Sequence, residues 1–239
     1  KKMTFNYSPN FGLKKREKSK IKYLIYHYTG MKNDKLAIRK LTNSYSNVSC
    51  HYYISAKGEL IKMVPDLYVA WHAGKSNWGN HNSLNQNSIG IEISNPGHKL
   101  GYRKYSNKQI KCLIEISKYL IKKYKINKKN ILGHSDIAPL RKVDPGEKFP
   151  WKHLYNKKIG IWYRSNSKKF KSLRGKISET NLNKFLDCLK KIGYCTKHAN
   201  LYELKKIIKI FQMRFRPELI DGKLDLESYE IAKSLTNIK

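Results

Sequence analysis

The stretch ILGHSDIAPLRKVDPGEKFPW (residues 131–151) starts as a short apolar strand and then opens into a loop. Its prolines and Gly146 forbid a helix that would show His134, Lys142 and Asp144 on one face. The histidine and the aspartate stand ten positions apart, with the lysine two before the aspartate. A strand end therefore delivers a nitrogen donor, a cation and a carboxylate along one irregular segment. The rest of the chain has to supply what they meet.

Upstream, IKYLIYHYTG (21–30) is a β-rich run that stops at a glycine, with His27 near its C-terminal end. DKLAIRKLTNSY has helical spacing at Leu36, Ala37 and Leu41. HYYISAKGELIKMV (51–64) reads as a hairpin, two strand-like runs around Ala-Lys-Gly-Glu. SIGIEISN (88–95) alternates Ile89, Ile91 and Ile93, so Glu92 faces the side opposite the isoleucines. SNKQIKCLIEISKYLIKKY is an amphipathic helix with Ile110, Leu113, Ile114, Ile121 and Tyr124 on its stripe. Ser106 and Gln109 form a capping box at its start. Strands and helices mixed in this way predict an α/β domain over residues 1–164, a mixed central sheet flanked by helices, with an N-terminal arm over 1–19.

The basic, aperiodic segment 165–176 reads as a linker. Residues 177–239 then carry three helical patterns: Leu182 to Ile192 stopping at Gly193, Leu201 to Phe215 halted by Pro217, and a third capped by Asp225 with Ile231 and Leu235. They predict a small three-helix bundle whose Phe211, Phe215 and Leu224 are core.

The formal charge is +33, from 50 basic and 17 acidic residues. That draws the chain to any polyanion, whether nucleic acid, anionic lipid or wall polymer. Lysine, asparagine, isoleucine and tyrosine are abundant together, however, and the lysines are scattered along the whole length. That pattern belongs to a solvated surface written by a biased genome, so the charge selects no partner. No helix-turn-helix, RNA-recognition or zinc-finger motif accompanies it, and no specific nucleic-acid partner is expected. No run of about eighteen apolar residues is present, so no membrane span is expected. The start Lys-Lys-Met hides whether a signal or a lipid-bearing cysteine precedes it. Cys50, Cys112, Cys188 and Cys195 form no C-x-x-C pair and are expected as buried thiols.

Imidazole nitrogen and carboxylate oxygen are both zinc ligands, and a catalytic zinc takes three protein ligands and keeps one open position. His134 and Asp144 supply two, and His27 at a strand end is the candidate for the third. A lone strand histidine reads equally as a hydrogen-bonded structural residue, Glu92 as a solvated carboxylate, and Lys142 as one lysine among many. Asp136, followed by Ile-Ala-Pro, is placed as a turn former. His51 is expected to be structural, and His81, His98, His153 and His198 have no supporting context.

GHSDIAPLRKVDPGEKFPW resembles the signature of the zinc-dependent N-acetylmuramoyl-L-alanine amidases, which share a fold with the peptidoglycan-recognition proteins. IYHYTG, SCHYYISAKGELIKMVPDLYVAWHAG and NSIGIEISN are similar to the family's other blocks, in the same order, over roughly residues 20–155. The tail IIKIFQMRFRPELIDGKLDLESYEIAKSL resembles a peptidoglycan-binding helical module. That pairing is a mark of the family's envelope members. The resemblance implies one zinc on His27, His134 and Asp144, with Glu92 as general base and Lys142 as the cation that stabilises the transition state. It also implies a groove lined by His72 and Trp71, although His72 reads equally as a packing residue. Asn87, Asn95 and the loop GKSNWGNHNSLNQNS with Trp78 are expected to belong to that groove. The implied activity is hydrolysis of the amide between N-acetylmuramic or anhydro-muramic acid and L-alanine in peptidoglycan or muropeptides, by a monomer in the periplasm or envelope. A non-catalytic recognition protein on the same fold is the alternative.

Overall fold

The structure is a computed structural model that describes residues 3–163, 170–176, 181–197 and 199–238. Its centre is a six-stranded sheet built from β1 (Thr4–Phe5), β3 (Tyr23–Tyr28), β4 (Tyr52–Ile54), β5 (Leu60–Lys62), β9 (Ser88–Ile93) and β10 (Ile131–Gly133), in the order β1-β5-β4-β9-β3-β10. The hairpin β4–β5 is antiparallel and every other pairing is parallel, so the sheet is mixed. Two small ribbons lie outside it: β2 (Phe11–Gly12) with β6 (Val69–Ala70), and β7 (Asn77–Trp78) with β8 (His81–Asn82). Through β1 the N-terminal arm is stitched to the sheet edge, and through β2 it is tied to β6. The arm's buried Arg16 donates to the carbonyls of Asp66 and Asn85.

Period-two alternation decides what each sheet face does. Ile89, Ile91 and Ile93 of β9 are fully buried with Tyr26 and Tyr52 in the main core, under the long helix α2 (Asn107–Tyr124). The stripe of α2 is centred on Leu113, Ile116, Leu120 and Tyr124, with Ile114 and Ile121 half-buried at its margins. The capping box forms as expected, Ser106 accepting from the Gln109 amide and Gln109 from the Ser106 amide. The opposite face carries Tyr53, packed with Ala37 and Leu41 of α1 (Asp34–Thr42) and with Cys50 and Met63.

After β10, residues His134–Ile137 form one helical turn, α3, where the sequence predicts only open loop. Asp136 closes it locally by accepting from the Gly133 amide at 2.7 Å. The chain then runs irregularly to α4 (Trp151–Asn156). The carbonyl of Pro145 takes hydrogen bonds from the hydroxyls of Tyr102 and Tyr105, both 2.7 Å, which pins the far side of the loop to the segment before α2.

The three helices of the tail are α5 (Asn181–Ile192), α6 (Leu201–Phe215) and α7 (Leu226–Thr236), with Asn200 and Asp225 capping the last two. Phe185, Phe211, Phe215, Ile231 and Leu235 fill their interior. The buried cluster is continuous from there into the sheet domain, so the bundle packs on the α/β body instead of hanging from it. Of the expected linker, residues 170–176 hold to the bundle: Arg174 pairs with Glu227 and Gly175 donates to Asp225. The thiols divide against expectation. Cys50 and Cys112 are buried, Cys188 is half-buried, and Cys195 is exposed beyond the end of α5.

Candidate metal centre and active-site cleft

Parallel pairing of β3 with β9 sets His27 beside Glu92, and β4 sets Tyr53 on the other side of Glu92. On this face β9 presents Ser88, Gly90 and Glu92, and each has a separate part. Gly90 leaves room for the ring of His72, since a Cβ there would lie 2.4 Å from His72 Cγ. Ser88 anchors that ring, and Glu92 ends the row on the wall of the cleft.

The hydrogen-bond directions follow from the fixed end. The Ser88 hydroxyl donates to the Leu84 carbonyl, so its oxygen accepts from His72 Nε2–H at 3.1 Å. His72 Nδ1 is then an acceptor and takes the Nε2–H of His27 at 3.0 Å. His27 Nδ1 is left with a lone pair. By the same reasoning His134 Nε2–H donates to the Ala73 carbonyl at 3.1 Å, leaving its Nδ1 unprotonated.

Those two lone pairs face each other at 3.0 Å, and both face Asp144 Oδ2, at 3.2 and 3.1 Å. Three buried acceptors with no proton between them repel one another unless a cation sits among them. His27, His134 and Asp144 are also the group of ligand atoms close enough to share an ion among the described residues. The spacing suits zinc, because tetrahedral bonds of about 2.0–2.1 Å place donor atoms about 3.3 Å apart. Burial lowers His27 to about 4, so its ring is neutral, the form a ligand requires.

The triad opens into a cleft of about 540 Å³ that Glu92, Lys142, His72 and Trp71 also line. Glu92 is half-buried at its wall, and its Oε2 is enclosed with no hydrogen-bond partner among the described residues. Burial, followed by the charge of Asp144, raises it to about 8, while Lys142 and Lys40 oppose the rise. A divalent cation at the triad would oppose it further. A carboxyl balanced in this way can take a proton and give it back near neutral pH.

Residues 17–147 match the family described as N-acetylmuramoyl-L-alanine amidase. The N-acetylmuramoyl-L-alanine amidase AmiD of Escherichia coli (strain K12) is 36% identical over 231 residues, which span 90% of this chain and 82% of the relative. The chain belongs to this amidase family. The amidase's fold is similar to that of E. coli AmiD solved with the substrate anhydro-N-acetylmuramic acid-L-Ala-D-gamma-Glu-L-Lys. The TM-score is 0.81 at 34% identity, covering 90% of this chain and 88% of the other. It is similar also to AmpDh3 of Pseudomonas aeruginosa, with a TM-score of 0.80 at 31% identity, covering 93% and 92%.

Several residues expected in the groove of the amidase lie elsewhere. Asn87 precedes the N-terminal end of β9, roughly 16 Å from Glu92 at about 3.3 Å per strand residue, and its amide lies 3.4 Å from His81. Asn95 is buried and spends its side chain internally, donating to the Arg103 carbonyl and accepting from the Gly97 amide. Trp78 is buried too, its ring edge-on to Tyr194 of the helical bundle at 4.8 Å, so this part of the polar loop is a brace. Trp71 lines the cleft. His72 touches the cleft, but its ring nitrogens are committed to His27 and Ser88.

His51 accepts from the Gly90 amide and donates to the Tyr68 carbonyl, a buried structural residue as expected. His98 was passed over in the sequence, yet it lines the cleft, bonded to Tyr28 and Glu147 and stacked on Tyr102. Lys40 and Arg141 were missed as well. Arg141 ties the cleft edge together by donating to the carbonyls of Ala73 and Lys75. In so lysine-rich a chain, no sequence signal separates these cations from the rest. His198 lies outside the described residues.

Proposed function

We propose that this chain hydrolyses the amide joining the lactyl group of N-acetylmuramic or anhydro-muramic acid to L-alanine of the stem peptide, with one zinc held by His27, His134 and Asp144. The observation that carries this reading is the convergence of two imidazole lone pairs and a carboxylate, 3.0–3.2 Å apart, on a cleft walled by Glu92. When bound, zinc supplies a Lewis acid for the carbonyl and acidifies the attacking water.

The chain's own groups do the rest. Glu92 accepts the water's proton and later returns it to the amine of L-alanine, so the carboxyl ends as it began. Lys142, on the loop two residues before Asp144, brings an ammonium to the oxyanion that develops at the scissile carbonyl. His72 keeps His27 in the tautomer whose Nδ1 is free, and the Ala73 carbonyl does the same for His134. Trp71 offers an apolar face at the rim for sugar or peptide.

Residues 1–164 carry the chemistry in this reading. The bundle 177–239, joined through 165–176, turns its outer surface to the glycan of the wall, and the working unit is a monomer. Intact wall or its muropeptides as substrate place the enzyme in the envelope, where an anchor preceding Lys1 would hold it. No helix among the described residues is long and apolar enough to cross a membrane. Digestion of purified peptidoglycan with and without a chelator, followed by mass analysis, tests the reading. Stem peptides with a free L-alanine amine should appear, and only without the chelator. Unchanged sacculi that nevertheless retain the protein would favour a recognition role.

A further inference from the structure

The loop that carries His134 is held from outside its own domain. Asp136, on the turn that His134 begins, is buried at 1% exposure together with Arg214 and Tyr194 of the helical bundle. Its Oδ1 accepts from the Tyr194 hydroxyl at 2.6 Å, and its Oδ2 accepts from the Gly133 amide and from Arg214 Nη1. The second guanidinium nitrogen of Arg214 donates to the Ile131 carbonyl at 3.0 Å, and the guanidinium lies 4.1 Å from the centre of the Trp151 ring. Arg214 thus holds the Ile131 carbonyl before His134 and, with Tyr194, the Asp136 carboxylate after it, and that carboxylate in turn holds the Gly133 amide.

We infer that the helical bundle acts as a positioning element for the metal centre, through Arg214 and Tyr194 on Asp136, in addition to any contact it makes with the wall. The physical ground is the short lever. His134 is separated from Asp136 by one residue and from Gly133 by none, and its Nδ1 must stay within about 0.2 Å of its place for a metal bond to form. A carboxylate whose two oxygens are filled by an arginine, a phenol and a backbone amide cannot rotate, and the turn it closes cannot relax. A contact serving only to glue two bodies together has no need to fall on this turn. The inference rests on the metal-site reading above, and its test separates the two.

The full-length protein is compared with Tyr194→Phe, which removes one hydroxyl, and with Arg214→Met. Ile231→Val in the bundle interior serves as a destabilised control. Zinc affinity is measured by competition with a chromogenic chelator, and kcat and KM on a soluble anhydro-muramyl peptide. Zinc should bind about tenfold more weakly to Arg214→Met, at the low end of outer-shell effects, and about threefold more weakly to Tyr194→Phe, which loses only one bond. kcat should fall while KM stays, and Ile231→Val should match the parent. Should Arg214→Met not fold, Tyr194→Phe decides alone. Parental zinc affinity and kcat in the folded variants, or an equal loss in Ile231→Val, would overturn the coupling. Failure of the unaltered chain to bind zinc would overturn the metal site itself, and the coupling with it.

Discussion

Glu92 and His27 are register partners on adjacent parallel strands, so a single ladder of hydrogen bonds fixes a carboxylate beside an imidazole of the candidate metal site. The Glu92 carboxylate is therefore held by backbone geometry that is independent of any metal. Glu92→Gln should keep one zinc per chain and lose turnover by about 10²–10⁴-fold, the usual worth of a positioned acid–base group. Metal analysis beside the rate on a muramyl peptide checks this, and a Gln variant with parental turnover would remove Glu92 from the mechanism.

Asp144 behaves differently because it is part of the donor triangle. Asp144→Ala should lose zinc and activity together, leaving His27 and His134 as a pair too weak to retain the ion through dialysis. Retained stoichiometric zinc would show that the ion lies elsewhere.

Lys142 is assigned to charge that exists only during reaction. Lys142→Ala should lower kcat by about 10²–10³-fold, by analogy with removal of one oxyanion donor, with KM little changed. A change confined to KM would make it a binding residue.

His72 is the partner of His27, and its effect should appear in the metal. His72→Ala should weaken zinc by about 10–100-fold. His72→Asn, whose amide oxygen can stand near Nδ1 and accept the same proton, should recover part of the loss. Equal affinity in all three proteins would leave His72 as packing on Gly90.

Much of this was legible in the sequence, because short-range rules decide it. The isoleucine alternation placed Glu92 on the face opposite the core, and Ser106 with Gln109 announced the start of α2. His27, His134 and Asp144 were marked as a group by a resemblance, and no spacing rule could have shown that strand pairing closes them to 3.2 Å. What failed was longer in range. Asn87, Asn95 and Trp78 looked like groove residues because polar and aromatic loops suit sugars, yet their side chains are used inside the protein. Asp136 looked like a local turn former. Two of the three hydrogen-bond partners of its carboxylate, Tyr194 and Arg214, are 58 and 78 residues away, beyond any local pattern.

Lys62 and Lys123 converge on the carboxylate of Asp66, and that cluster carries a pH signature. Asp66 is buried, which alone would raise its pKa, but hydrogen bonds from Lys62, Tyr124, Tyr52 and Lys123 hold it well below the usual carboxylate range. A depressed folded pKa contributes stability above the unfolded value, about 3.9, and that stability drains away as pH falls through the folded pKa. Asp66→Asn should therefore lose on the order of 2 kcal/mol at pH 7, with a smaller deficit at pH 3. Urea midpoints at the two pH values check it, and a deficit independent of pH would contradict it.

Anomalous diffraction at the zinc edge, from crystals of the active full-length protein, bears on the centre of the account. One peak should appear about 2.0–2.1 Å from His27 Nδ1, His134 Nδ1 and Asp144 Oδ2 alike, with a fourth position open toward Glu92. A peak bound elsewhere, or His27 turned away with no metal among the three, would contradict it.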